Sequence, residues 1–71
     1  VNIDYSLTRS SKLNISILDV TGKLIDNIES EKEFEAGSHS KRYNIDNLSS
    51  GIYFIRFKTD NGVETKKLIV D

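Results

Sequence analysis

The sequence has no cysteine, methionine, proline or tryptophan, and only one histidine. Without cysteine, neither a disulfide nor a thiolate metal site can hold the fold or run chemistry. One imidazole, His39, cannot satisfy zinc alone, and no spacing in the chain supplies it with a nucleophile or carboxylate partner. The lack of methionine, even at position 1, is expected of a piece excised or processed from a longer protein. A strong charge of one sign is missing too: 10 Lys and Arg face 11 Asp and Glu, a net charge of −1. Nucleic-acid binders usually show a marked basic excess, and Lys66-Lys67 is too short a patch to stand in for one. The longest apolar run, Ile52-Tyr53-Phe54-Ile55, falls far short of the ~20 residues that span a bilayer, so no transmembrane segment is expected. The four glycines are scattered at turns, which leaves no phosphate-cradling loop.

What remains is a chain of 71 residues, enough for a single domain over 1–71. A domain near this length buries only ~60% of the surface its unfolded chain exposes. Its expected stability is ~3–5 kcal/mol. So small a core has few side chains to spare for a deep, water-excluding cleft, which weighs against an enzyme. Apolar residues make up 37%, too many for a disordered tail of this modest net charge.

Val, Ile and Thr contribute 17 residues, whereas Ala, Met and Gln together contribute one, Ala36. β-Branched side chains fit a pleated sheet and lose rotamer freedom in a helix, so the bias is toward strands. Periodicity agrees. Val1, Ile3, Tyr5 and Leu7 alternate with polar residues, and so do Leu13, Ile15 and Ile17 after the polar connection Arg9 to Lys12. Asp19-Val20-Thr21-Gly22 reads as a turn with Gly22 at positive φ. Leu24 to Ile28 alternates imperfectly, which predicts a bulge. In Glu29 to Glu35, Ser30 and Glu33 match a helical capping box, but no apolar run follows for a helix to bury. An extended segment with Glu29, Glu31, Glu33 and Glu35 on one wet face is preferred. Ala36-Gly37 breaks the chain, Lys41 to Ile45 reads as a strand with Tyr43 and Ile45 on one face, and Asp46 to Gly51 is a turn cluster. Ile52 to Lys58 is the most apolar strand and is expected at the centre of its sheet. The last strand runs from Val63 to Val70.

Asn61-Gly62 suits a type I′ hairpin loop. That loop sets Asp60 opposite Val63, and further out pairs Phe57 with Lys66, Ile55 with Leu68 and Tyr53 with Val70, these three pairs facing the core. Tyr53, Ile55, Phe57 and Leu68 are then expected to be buried with Ile3, Tyr5, Ile15 and Ile17. The opposite face carries Arg56 with Lys67 and Phe54 with Ile69, an apolar spot beside two cations. Phe54, Arg56, Lys67 and Ile69 thus form a candidate docking face, with ordinary surface or packing beneath a loop as the alternatives. The fold class this predicts is all-β: a small antiparallel immunoglobulin-like β-sandwich of six to seven strands.

Catalytic chemistry finds no constellation. The glutamates of 29–35 diverge along an extended strand, and Lys32 offsets their charge, so they suit a solubilising edge better than a Ca²⁺ site. Surface carboxylates are numerous enough that some pair always falls at a glycosidase-like distance, which makes that signal empty. Asn14-Ile15-Ser16 and Asn47-Leu48-Ser49 fit the glycosylation sequon, a triplet common by chance. No catalytic, metal or cofactor residue is assigned.

Read end to end, the chain resembles the type A C-terminal sorting domain of proteins exported by the type IX secretion system of Bacteroidota. The matching pieces are Ile3-x-Tyr5-x-Leu7, Ile17 to Lys23, Leu48 to Arg56, and Thr65 to Val70. The resemblance implies an immunoglobulin-like sandwich at the end of a secreted enzyme or adhesin, with no catalysis or cofactor of its own. It implies recognition by an outer-membrane translocon, its shuttle and a sortase-like peptidase, and a cargo domain on the N-terminal side that ends up secreted or at the cell surface. The family's Gly-x-Tyr element falls on Gly51 and Tyr53, and its terminal Lys-plus-apolar signal on Lys67 to Val70. Two departures stand out: the Pro- and Asn-containing segment that commonly precedes the first strand is not in this sequence, and Asp71 stands where a basic or amide residue is common. An accessory immunoglobulin-like or carbohydrate-binding module of an extracellular enzyme is the alternative, weakened by the lack of Trp and by Tyr53 and Phe57 facing inward.

Overall fold

The computed structural model describes residues 1–71. The alternating β-branched stretches form six strands: β1 (Asn2–Leu7), β2 (Ser11–Asp19), β3 (Leu24–Phe34), β4 (Gly37–Arg42), β5 (Gly51–Thr59) and β6 (Gly62–Val70). Every pairing is antiparallel, in one sheet of order β3-β2-β5-β6 and one of order β1-β4. β5 lies centrally, as its apolar run predicts. The expected all-β sandwich is therefore present, its larger sheet ordered like the C′-C-F-G sheet of an immunoglobulin domain facing a B-E pair.

Period-two alternation sends Leu13, Ile15 and Ile17 of β2 and Tyr53, Ile55 and Phe57 of β5 to the space between the sheets, where they join Ile3, Phe34 and Val70 as the buried apolar core. Ile15 and Ile17 are fully buried. Tyr5 and Leu68, expected in the core, are only half-buried at its margin. Phe34, although set in an acidic stretch of the sequence, belongs to the core. Its ring lies 5.7 Å from that of Tyr5 and 5.2 Å from that of His39, and Tyr5 lies 5.7 Å from Phe57. His39 is thus a packing residue, its Nε2 also 2.7 Å from the Glu35 carbonyl oxygen.

The β2–β3 turn forms as expected around Asp19. One carboxylate oxygen, Oδ1, accepts from the Thr21 N–H (2.9 Å), the Thr21 hydroxyl (2.6 Å) and the Lys23 N–H (3.0 Å). Gly22 supplies the positive φ, 89°, that the reversal needs. The predicted irregularity of β3 is also real: its pairing with β2 shifts register three times, and Glu31 sits at φ 48°. Those bulges overturn the expectation of four glutamates on one wet face. Each extra residue exchanges the two faces, so Glu29 lies opposite Ile15 and Lys32 opposite Leu13, on the core side. There the two side chains form the only ion pair of the molecule, at 3.9 Å.

Two further expectations change. The fourth strand spans Gly37–Arg42, not Lys41 to Ile45; Tyr43 and Ile45 lie beyond its end and pack on the core from a loop. The β5–β6 register is also displaced by two residues, because Thr59 pairs with Gly62 and the two-residue loop is Asp60-Asn61. Neither loop residue has positive φ, so the turn is not type I′; Gly62, at φ 140°, takes up the reversal just after it. Ile55 consequently faces Lys66 in place of Leu68, and Tyr53 faces Leu68 in place of Val70. A shift of two keeps every side chain on its predicted face.

Candidate recognition face

The residues that the sequence singles out lie on both sides of the β5–β6 hairpin. Gly51 and Val70 are direct cross-strand partners at its open end, and Tyr53 follows opposite Leu68. Tyr53 and Val70 are buried, and the Tyr53 hydroxyl donates to the Ser49 carbonyl (2.7 Å). Gly51 has φ 156°, while a Cβ there would meet nothing closer than Tyr53 Cε2 at 4.0 Å, so backbone conformation and not space selects glycine. These three residues shape the hairpin from within. Lys67 is separated from them by the sheet and is exposed on the outer side.

On that outer side the predicted docking residues are brought together, with one correction of partners. Phe54 lies opposite Lys67, and Ile69 lies opposite Ile52, because of the two-residue displacement. The apolar spot is also wider than the pair of Phe54 and Ile69. Leu18 of β2 pairs with Phe54 on one side and with Leu24 of β3 on the other. A row Leu24–Leu18–Phe54–Lys67 therefore crosses all four strands, with Ile52 and Ile69 in the next row. Ile69 is 62% exposed, Leu24 48% and Ile52 40%, whereas Phe54 and Leu18 are half-buried. Sequence reasoning missed Leu18, Leu24 and Ile52. The available signal was phase: Ile52 lies two residues from Phe54, and Leu18 is out of step with the inward Ile15 and Ile17.

The electrostatics of this face are one-sided. The outward residues of β5 and β6 include Arg56, Lys58 and Lys67, and no acid stands among them. Arg56 pairs across the strands with Ser16 and Thr65, and Lys58 with Asn14 and Val63, so none has an anionic cross-strand neighbour. Isolated exposed apolar residues are ordinary; here a contiguous apolar row lies beside cations that have no anionic cross-strand neighbour.

The fold defines the class as a small all-β sandwich, with the β1–β4 pair over the inner face of the four-stranded sheet and the outer face of that sheet open. The whole chain, residues 1–71, matches the model of the secretion system C-terminal sorting domain, and it belongs to that family. It is thereby a sorting domain of the type IX secretion route, whose partners are the secretion machinery and a parent cargo. No curated protein and no solved structure matches it.

Proposed function

We propose that residues 1–71 act as a single folded export address at the end of a larger secreted protein, with no catalysis of their own, and that the machinery reads the outer face of β5–β6. The observation that carries this is the separation of roles across one hairpin. Gly51, Tyr53 and Val70 face or shape the core, whereas Lys67, Ile69, Phe54 and Arg56 lie on the side that packing does not use. Export then delivers the cargo to the cell surface or the medium, through contacts with the translocon, its shuttle and a sortase-like peptidase. The accessory-module alternative gains nothing from three of the aromatics, Tyr53, Phe57 and Phe34, which are core residues and unavailable as a sugar platform.

The test is a secreted fluorescent cargo carrying this segment in a host with a type IX system. Lys67→Ala with Ile69→Ser is expected to leave the circular dichroism and melting of the domain nearly unchanged, since surface changes usually move stability by less than ~0.5 kcal/mol. Export of the reporter is expected to fall. Unimpaired export by the folded variant removes this face from the recognition reading.

A further inference from the structure

We propose that the free edge of β6 pairs with the same edge of a second copy of this chain, in an antiparallel register centred on Thr65. Three observations lead there. First, β6 is the outer strand of its sheet and stays in unbroken register with β5 over nine residue pairs, from Gly62 to Val70. The opposite edge, β3, is spoiled by three register shifts and a positive-φ Glu31. Bulges protect an edge from pairing, and a regular one leaves its backbone donors and acceptors on offer. Second, the edge is open: from Gly62 through Lys67 every residue is exposed.

Third, the side-chain order of β6 is self-complementary in one register. A twofold axis through the sheet keeps inner faces with inner faces, so residues i and j that face one another across it have an even sum. Centred on Thr65, the pairing sets Glu64 against Lys66 of the second copy and Lys66 against its Glu64, with Thr65 meeting Thr65. Opposite charges and paired threonines are favourable cross-strand neighbours. A centre at Glu64, Lys66 or Lys67 sets two like charges against each other and is disfavoured. Gly62 to Leu68 of each chain would pair, joining two four-stranded sheets into one. The outer cations Arg56, Lys58 and Lys67 stay on the surface of the joined sheet, so the association is independent of the export reading.

Thr65→Cys tests the contact directly, because the chain has no other cysteine. Under mild oxidation it is expected to give a disulfide-linked dimer at least tenfold faster than Lys58→Cys, which is exposed on β5 away from the edge. Sedimentation equilibrium of the unaltered 71-residue chain is expected to show a reversible monomer–dimer mixture at submillimolar concentration. Glu64→Lys should weaken it tenfold or more, and Glu64→Lys with Lys66→Glu should restore it. Circular dichroism on each variant separates loss of pairing from loss of folding. Equal cross-linking rates for the two cysteine variants overturn the proposal. So does a strictly monomeric chain, or a charge-exchanged double variant no better than Glu64→Lys among folded proteins.

Discussion

A single oxygen of Asp19 gathers three donors, and this concentrates the acid sensitivity of the β2–β3 turn in one group. The Thr21 hydroxyl first, and the Lys23 N–H next, hold its carboxyl below the usual carboxylate range. A depressed folded-state pKa contributes stability that is complete above the ordinary carboxylate value and is lost as the pH falls through the folded one. Asp19→Asn keeps an acceptor but not the charge, so its melting temperature should lie below that of the parent near neutrality, with the gap closing in acid. Thermal melts from neutral pH down to about 2.5 check this; a gap independent of pH means the charge contributes nothing. Tyr43 offers the opposite case. Burial first, and the hydrogen bond it donates to Asp26 (2.8 Å) second, push its hydroxyl up to about 12. Its contribution is complete below the ordinary tyrosine value and is lost as the pH rises through about 12. The ultraviolet phenolate titration of the parent minus that of Tyr43→Phe should show this late midpoint. The substitution should cost about 1 kcal/mol, the usual worth of one such bond.

At the scale of elements, the β5–β6 hairpin shows what a sequence does and does not carry. The alternation of Tyr53, Ile55 and Phe57 against Phe54 and Arg56 was legible and correct, because period-two patterning assigns faces without reference to a partner. The register was not. Asn61-Gly62 signals a type I′ loop in isolation, but the chain closes one step earlier, on Asp60-Asn61, and lets Gly62 take the positive φ. Turn chemistry and ladder pairing compete at that point, and both solutions leave the faces intact. Nothing local distinguishes them. The candidate face was therefore found at Phe54, Arg56, Lys67 and Ile69, while Leu18 and Leu24 escaped notice because only the pairing of β2 with both neighbours lines them up with Phe54. Phe34 was missed for a related reason: the bulges of β3 break the alternation that would have marked it as inward.

For the molecule as a whole, burial is the scarce resource. Nine apolar residues are buried, and Ile55 sits among them at 6% exposure in the central strand. Ile55→Ala should cost ~2–5 kcal/mol through lost transfer energy and the cavity left behind. That is comparable to the entire ~3–5 kcal/mol expected of a domain of this size. Chemical denaturation should find the variant largely unfolded or close to it, and a midpoint near that of the parent would show that Ile55 is not at the centre of the core.

The pairing of β1 with β4 carries a consequence in time. β1 pairs with no strand adjacent to it in sequence: Leu7 meets Gly37, and Val1 exchanges backbone hydrogen bonds with Tyr43, its amino group donating to the Tyr43 carbonyl and its own carbonyl accepting from the Tyr43 N–H. Closing that ladder means looping out both β2 and β3, an entropic cost that precedes any return from packing. The hairpins β2–β3 and β5–β6 close over short turns and can form in microseconds, but the seal over the core waits for this distant pairing. Folding should then fall in the millisecond-to-second range of sandwiches dominated by non-local contacts. During that interval Leu13, Ile15 and Ile17 lie uncovered, so the chain has a lifetime as an open, adhesive sheet before it becomes a closed domain.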